Sequence, residues 1–241
     1  MRKISFLLLP ILILISGPVR AASNGNPILR YFSRLLDESR AEMAVGKLLQ
    51  ETFVKELHES VKCELDQKMS ARLRKIAENS NRPDIQYNVY LINSDIADEI
   101  VFPGGNVFLT TGLLNSAEND IQQDFILSRN LMHLVLRHPM KLLKKEGLYA
   151  RLLNQLKLVP EQRDVAGLKE MTRDYLRNQA KMDHKKADLQ GLLLLKSPEL
   201  VRKAAIALLK KFTGRIWPVL PMDTGDLPGR IDALEKLKLP E

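Results

Sequence analysis

The chain has 241 residues, of which 37 are lysine or arginine and 29 are aspartate or glutamate, for a formal net charge of +8. Because the basic residues are scattered among acidic ones and only 5% of the residues are aromatic, we do not expect nucleic-acid binding. The single cysteine, Cys63, excludes an internal disulfide. The charge balance suits a soluble protein with at most peripheral attraction to an anionic membrane surface.

The first 21 residues have the three parts of a secretory signal. Arg2 and Lys3 precede an apolar run from Ile4 to Ile15, and Val19-Arg20-Ala21 supplies a small-residue cleavage site. The run is shorter than the roughly 20 residues that a membrane-spanning helix needs, so we predict cleavage after Ala21, with an uncleaved anchor as the alternative. We therefore expect an exported protein, periplasmic or secreted, in which residues 22–241 form a single domain.

Helical periodicity dominates the next part of the chain. From Pro27 to about Asn79, apolar residues recur at spacings of three and four, which predicts amphipathic helix. Gly46 weakens this stretch, so one long helix and two shorter helices both fit the pattern. Turn-forming residues from Asn79 to Asp84 then end it. We expect residues 22–82 to form N-terminal helices and residues 83–241 to form the core.

The pattern then changes to short strands. We predict strands at Tyr87 to Ile92, Glu99 to Phe102 and Asn106 to Thr110, with Pro103-Gly104-Gly105 as the turn between the last two. After Gly112 the chain is predicted to be helical again, over residues 120–146, 162–196 with a break, 198–212 and 227–237. The fold class is therefore α+β, mainly helical, with a small sheet of three to four strands.

The block from Val101 to Leu114 carries a family resemblance. Its sequence, Val-Phe-Pro-Gly-Gly-Asn-Val-Phe-Leu-Thr-Thr-Gly-Leu-Leu, resembles the signature that precedes the catalytic helix of the HtpX-type and CAAX-prenyl-protease-type gluzincins. These zinc metallopeptidases have soluble periplasmic relatives. The resemblance implies a gluzincin-like peptidase domain. One departure lies just before the proline, where the family's Asn-Ala-Phe-Ala is replaced by Asp98-Glu99-Ile100-Val101.

The resemblance also places the zinc site. The family's catalytic helix carries His-Glu-x-x-His, and in register this chain has Arg129-Asn130-Leu131-Met132-His133. A later Glu-x-x-Ala-Asp pattern, whose glutamate is the third zinc ligand, corresponds to His184-Lys185-Lys186-Ala187-Asp188. An auxiliary His-Pro pair before a C-terminal Arg-Ile corresponds to Thr224-Gly225, ahead of Arg230-Ile231. The aspartate of this pattern, Asp188, is thus retained, and the resemblance implies that it lies next to the metal ligands without being one.

These replacements remove the chemistry that the family uses. A guanidinium has no lone pair to offer a metal and repels a cation, so Arg129 cannot replace a histidine ligand. The neutral amide of Asn130 cannot act as the general base. We expect no cofactor, and we expect Arg129 to pair with Asp188 or Asp183 in the space that the metal would take. The alternatives are that His133 and His184 still bind zinc, or that His133 is a hydrogen-bonded core residue and His184 a solvated one.

Three functions remain open on these grounds. The first is an inactive peptidase homologue that binds polypeptide in the cell envelope as a chaperone, adaptor or inhibitor. The resemblance implies that substrate adds as a strand to a sheet edge, for which the candidate is Asn106, Val107, Phe108, Leu109 and Thr110. The second is a zinc endopeptidase with an altered site. The third is a structural envelope or secreted interaction protein whose basic surface meets anionic lipid or a partner protein.

Overall fold

The computed structural model describes residues 27–57, 61–213 and 226–239, with side chains from Asp37 onward. The predicted signal and Thr224 lie outside these residues. The chain divides into two compact units, residues 1–38 and 39–241, and all features below belong to the second unit unless an element begins before it. Within the described ranges, no helix has both the length and the apolar character needed to cross a bilayer.

Four strands form one sheet in the order β1-β2-β4-β3, which confirms the α+β class. They are β1 (Cys63–Asp66), β2 (Asn88–Ile92), β3 (Glu99–Phe102) and β4 (Asn106–Thr110). The pairs β1–β2 and β3–β4 are antiparallel, and β2–β4 is parallel with Val89 opposite Val107. The last three strands match the sequence prediction to within one residue. Strand β1 was not predicted, since it lies inside the range expected to be helical.

The position of β4 corrects one prediction. Asn106–Thr110 was expected to be the free sheet edge, yet β4 lies between β2 and β3 and pairs on both sides. Its backbone groups are therefore already used in two ladders, so it cannot accept a further strand. The edges of the sheet are β1 and β3.

The helices cover both faces of the sheet. The chain continues through α1 (Pro27–Glu56) and α2 (Gln67–Ala77) before the strands β2–β4, then α3 (Thr111–Ser116), α4 (Asp120–Val135), α5 (His138–Lys145), α6 (Leu148–Leu156), α7 (Val165–Asn178), α8 (His184–Leu193), α9 (Pro198–Phe212) and α10 (Leu227–Lys236). Short 3-10 turns occupy Pro160–Gln162 and Gln179–Lys181.

Two hydrophobic cores follow from the alternation of side chains along each strand. Val107 and Leu109 of β4 face a core that contains residues of α2, α4, α9 and α10. Phe108, between them, faces the opposite core, which contains residues of α1, α5, α6 and α7. There its ring meets Phe53 and Phe102 at centroid distances of 5.4 Å in both cases. The sheet is thus buried between two helical layers.

Glycine and proline positions explain where helices continue and where they break. Helix α1 runs through Gly46 without interruption. A Cβ at this position would lie 1.7 Å from the carbonyl oxygen of Pro103. Gly46 therefore permits close packing against the β3–β4 turn. The predicted helix over 120–146 is instead divided into α4 and α5 at Arg137, which has a φ of 57° and precedes α5, whose first turn contains Pro139. The break expected within 162–196 falls at the 3-10 turn Gln179–Lys181.

Candidate functional site

Helices α4 and α8 pack directly against each other and bring the candidate residues together. A Cβ at Gly191 of α8 would lie 2.8 Å from the backbone nitrogen of Arg129 on α4, so only glycine allows this approach. Helix α8 begins at Asp183, whose carboxylate accepts a hydrogen bond from the Lys186 backbone N–H at 2.9 Å. This packing places residues 184–188 of α8 beside residues 129–133 of α4.

Arg129 is buried in an ion pair that the sequence did not predict. Its side chain is 3% exposed, and its guanidinium NH2 group donates to the Glu99 carboxylate of β3. The same carboxylate accepts from the Asn130 side-chain amide at 2.7 Å. Glu99 therefore joins the two side chains that the sequence resemblance placed at the first histidine and the glutamate of the motif. It occupies the alanine position of the family frame, which is the one sequence signal that could have identified it.

Asp188 and Asp183, the two expected partners of Arg129, have different roles in the structure. Asp188 lies 3.8 Å from the Nε atom of Arg129, a longer contact than the one with Glu99. The Asp188 carboxylate instead accepts two hydrogen bonds from Arg230 of α10, at 2.6 and 3.0 Å, and both side chains are buried. Asp183 forms the α8 cap and makes no ion pair with Arg129 in the described structure. The four buried charges of Glu99, Arg129, Asp188 and Arg230 sum to zero.

Three histidines lie beside these charges. The His133 ring is 4.6 Å from the His184 ring and 5.0 Å from the His138 ring, measured between centroids. The Nδ1 atoms of His133 and His138 are 3.1 Å apart, so one ring donates and the other accepts. His184 Nε2 lies 3.1 Å from the carbonyl oxygen of Gln179. Because a carbonyl can only accept, this Nε2 carries a proton.

Burial keeps all three histidines neutral. It lowers the pKa of His133 well below its usual 6.5, and the interactions with His184, His138 and the charged Arg129 add to the effect. Burial is the main cause that lowers the pKa of His184 to about 3, and the charge of Arg129 is the second. For His138 the pKa is lowered to about 4, mainly by burial and secondly by the charge of Lys141. The interpretation of His184 as a solvated residue holds only in part, because the residue is half-buried and its ring meets that of His133 on α4.

Residues 64–237 match the family model of peptidase family M48, which covers more than half of the chain. The chain belongs to peptidase family M48. The resemblance to gluzincin-type metallopeptidases is thereby confirmed at the level of the family. No curated protein sequence matches the chain significantly.

The residues of this M48 site do not fit the zinc ion that the family implies. In the described part of the chain, no three histidine, cysteine, aspartate or glutamate side chains converge on a point that could hold a metal ion. His133 Nε2 is buried and has no hydrogen-bond partner there, yet the guanidinium of Arg129 lies one helical turn away on the same face. The His184 Nε2 proton is directed to Gln179, so this nitrogen offers no lone pair.

The sheet edge next to this site is closed. The backbone N–H of Val101 in β3 donates to the Gln179 side-chain oxygen at 3.2 Å, and its carbonyl accepts from the Tyr175 hydroxyl. Both side chains are buried; Tyr175 belongs to α7, and Gln179 belongs to the 3-10 turn that follows it. The Glu99 N–H donates to the Asp98 carboxylate at 2.7 Å. An extended peptide cannot pair with β3, since these groups are already bonded. No local sequence pattern marks Tyr175 or Gln179 for this role.

Proposed function

We propose that this M48 member is a catalytically inactive peptidase homologue, exported to the cell envelope, that acts by binding polypeptide. The observation that supports inactivity is the buried Glu99–Arg129 ion pair between β3 and α4. A buried guanidinium costs several kcal/mol unless an anion compensates it. Here a protein carboxylate supplies that compensation, in a position where the family frame has alanine.

The replacements at 99, 129 and 130 support one another. Glu99 accepts from both Arg129 and Asn130, so the three departures from the family pattern form a single hydrogen-bonded group. Isolated loss of a metal site by mutation would leave unpaired charges, which proteins rarely bury. In this group, by contrast, the positive charge of Arg129 is paired with the carboxylate of Glu99. We infer that the site has a stable structural role in place of metal chemistry.

The open edge of the sheet supports polypeptide binding at β1. Asn93 N–H donates to the Lys62 carbonyl at 2.8 Å, which makes residues 62 and 93 a hydrogen-bonded pair. Because such pairs alternate along an antiparallel ladder, the N–H and C=O of Cys63 and Leu65 point outward. A cavity of about 230 Å³ beside the strand is lined in part by Leu65 and Leu91. An added strand would thus find backbone partners and an adjoining side-chain cavity.

Export is proposed from the N-terminal sequence alone. The basic start, the apolar run and the small-residue site after it are the features that support a secretory signal. In an envelope compartment, unfolded or partly folded polypeptides are the ligands for which a peptidase-derived binding protein is suited.

Metal analysis of the mature protein, paired with a casein cleavage assay, tests the proposal. We expect well under one zinc per chain and no cleavage, either with added zinc or after treatment with a chelator. Stoichiometric zinc together with chelator-sensitive cleavage would establish the altered zinc endopeptidase instead. Failure to bind unfolded casein, with no zinc and no cleavage, would leave inactivity intact and overturn the binding role.

A further inference from the structure

A basic cavity lies at the start of α8, next to the candidate site. Its volume is about 230 Å³, and it lies between α5, the 3-10 turn at Gln179–Lys181 and the start of α8. Its polar lining comes from three elements: His138, Lys141, Lys145, Lys181, Asp183 and Lys186. Four lysines and one aspartate therefore line a single cavity.

The carboxylates near this cavity do not neutralise it. Lys181 is paired with Glu146 at 3.1 Å. The Asp183 carboxylate accepts from the Lys186 backbone N–H and so serves as the α8 cap. In the described residues, Lys141, Lys145 and the Lys186 ammonium make no ion pair. Within the described ranges, three lysines thus have no paired carboxylate, and the lining stays net positive even with the charge of Asp183.

The arrangement of α5 adds an independent argument. His138, Lys141 and Lys145 are spaced by three and four residues, so they share one face of this helix. Like charges four residues apart destabilise a helix by a few tenths of a kcal/mol when nothing lies between them. A bound anion would convert that repulsion into shared attraction. His138, buried and neutral, lines the inner end of the same face.

We propose that this cavity binds a phosphate group, carried either by a soluble phosphate ester or by a phospholipid headgroup. Lysine binds phosphate as a point charge, and three such charges match a phosphate better than a singly charged carboxylate. The volume exceeds the roughly 30 Å³ of a water molecule several-fold, so it admits a phosphate and part of the group it is attached to. This site is separate from the β1 edge, and its occupancy does not depend on polypeptide binding.

Two double variants with the same charge change test the site. Lys141→Ala/Lys145→Ala removes two lysines of the cavity. Lys68→Ala/Lys75→Ala removes two exposed lysines of α2, which also make no ion pair in the described residues and do not line the cavity. Affinity for inorganic phosphate is measured by calorimetry, and affinity for vesicles of phosphatidylcholine with and without phosphatidylglycerol by co-sedimentation. Circular dichroism confirms that each variant is folded.

We expect the cavity variant to lose affinity by on the order of tenfold for each lysine removed, while the α2 variant keeps wild-type affinity. Binding of inorganic phosphate without vesicle binding would support the site and identify a soluble ester as the source. Loss of anionic-vesicle binding in the cavity variant alone would support the site and identify a headgroup. Equal losses in both double variants, or no binding of either probe by the wild type, would show that these lysines are only a solvated surface and overturn the proposal.

Discussion

The carboxylate of Glu99 and the guanidinium of Arg129 form a buried ion pair between β3 and α4, across 30 residues of sequence. Glu99 is the main counter-ion of Arg129, since Asp188 is 3.8 Å away and bonded to Arg230. This pair links the strand that borders the site to the helix that carries it.

Glu99→Ala should lower the free energy of unfolding by about 3–5 kcal/mol, because it leaves the buried guanidinium of Arg129 without its main partner. Urea denaturation of the mature protein measures this change. Glu64→Ala is the control, since Glu64 pairs with Lys62 on the surface at 2.8 Å and its loss should cost less than about 1 kcal/mol. Similar effects for the two variants would contradict the role given to Glu99.

Restoring the family residues should restore metal binding. The variant Glu99→Ala/Arg129→His/Asn130→Glu/His184→Glu replaces the cationic group with two potential ligands beside His133, and we expect it to retain about one zinc per chain after dialysis. The same variant with Asn130 unchanged is the matched control and should bind zinc as well, because residue 130 corresponds to the base and not to a ligand. If folded protein of neither variant gains zinc by metal analysis, the register assigned to α4 and α8 is wrong.

Leu65→Pro should abolish binding of unfolded casein, because proline removes an outward N–H of β1 that an added strand would use. Leu65→Ala keeps this N–H while also losing the leucine side chain, which is 40% exposed, and should bind more tightly than the proline variant. Fluorescence anisotropy with labelled casein compares the two. Equal affinities for folded samples of both variants would exclude strand addition at β1.

The stability of the protein should fall as the pH drops from 7 to 5. His133, His138 and His184 have pKa values below the usual 6.5, so the unfolded state binds more protons than the folded state below about pH 6.5. Their contribution to stability is complete above that pH, and it is lost as the pH falls toward the pKa values that they have in the folded state. Arg129, Arg230, Lys141, Asp183 and Lys186 are the charges that influence these rings.

Asp98 acts in the opposite direction. Burial raises its pKa from 3.8 to about 7, so protonation as the pH falls below 7 relieves an unfavourable buried charge. Near pH 5 the unfolded state therefore binds about two more protons than the folded state, since three histidines gain a proton on unfolding and one carboxyl loses one. The free energy of unfolding falls by roughly 2–3 kcal/mol for each unit by which the pH drops. Urea unfolding at pH 5, 6 and 7 measures the slope. His138→Asn should reduce it by about 1.4 kcal/mol per pH unit, and an unchanged slope would show that His138 is not held neutral.

Gly46→Ala should destabilise the protein by at least about 2 kcal/mol, although alanine is the better helix former by about 1 kcal/mol. The added Cβ would lie 1.7 Å from the Pro103 carbonyl oxygen, and backbone must move to accept it. Ala71→Gly, at an exposed position within α2, reports the effect of propensity alone. Thermal unfolding compares the variants; a stabilised Gly46→Ala protein would mean that α1 does not pack on the β3–β4 turn.

Local patterns in the sequence were sufficient for most of the elements. The short apolar runs at 99–102 and 106–110, the turn at Pro103-Gly104-Gly105 and the proline at the start of α9 each depend on residues close in sequence, and each prediction agrees with the structure. The family frame and the chemistry of Arg129 and Asn130, which offer neither a metal-binding imidazole nor a general base, are likewise properties of side-chain type. A guanidinium lacks a lone pair wherever it lies.

Only the tertiary structure decided how the site is filled and which sheet edge is open. Glu99 meets Arg129, and Tyr175 meets Val101, across 30 and 74 residues respectively. Periodicity cannot report such contacts, because it records which face of an element is apolar and not which element covers it. The same reason accounts for β4, whose apolar pattern predicted a strand correctly but could not show that β2 and β3 would pair on both of its sides.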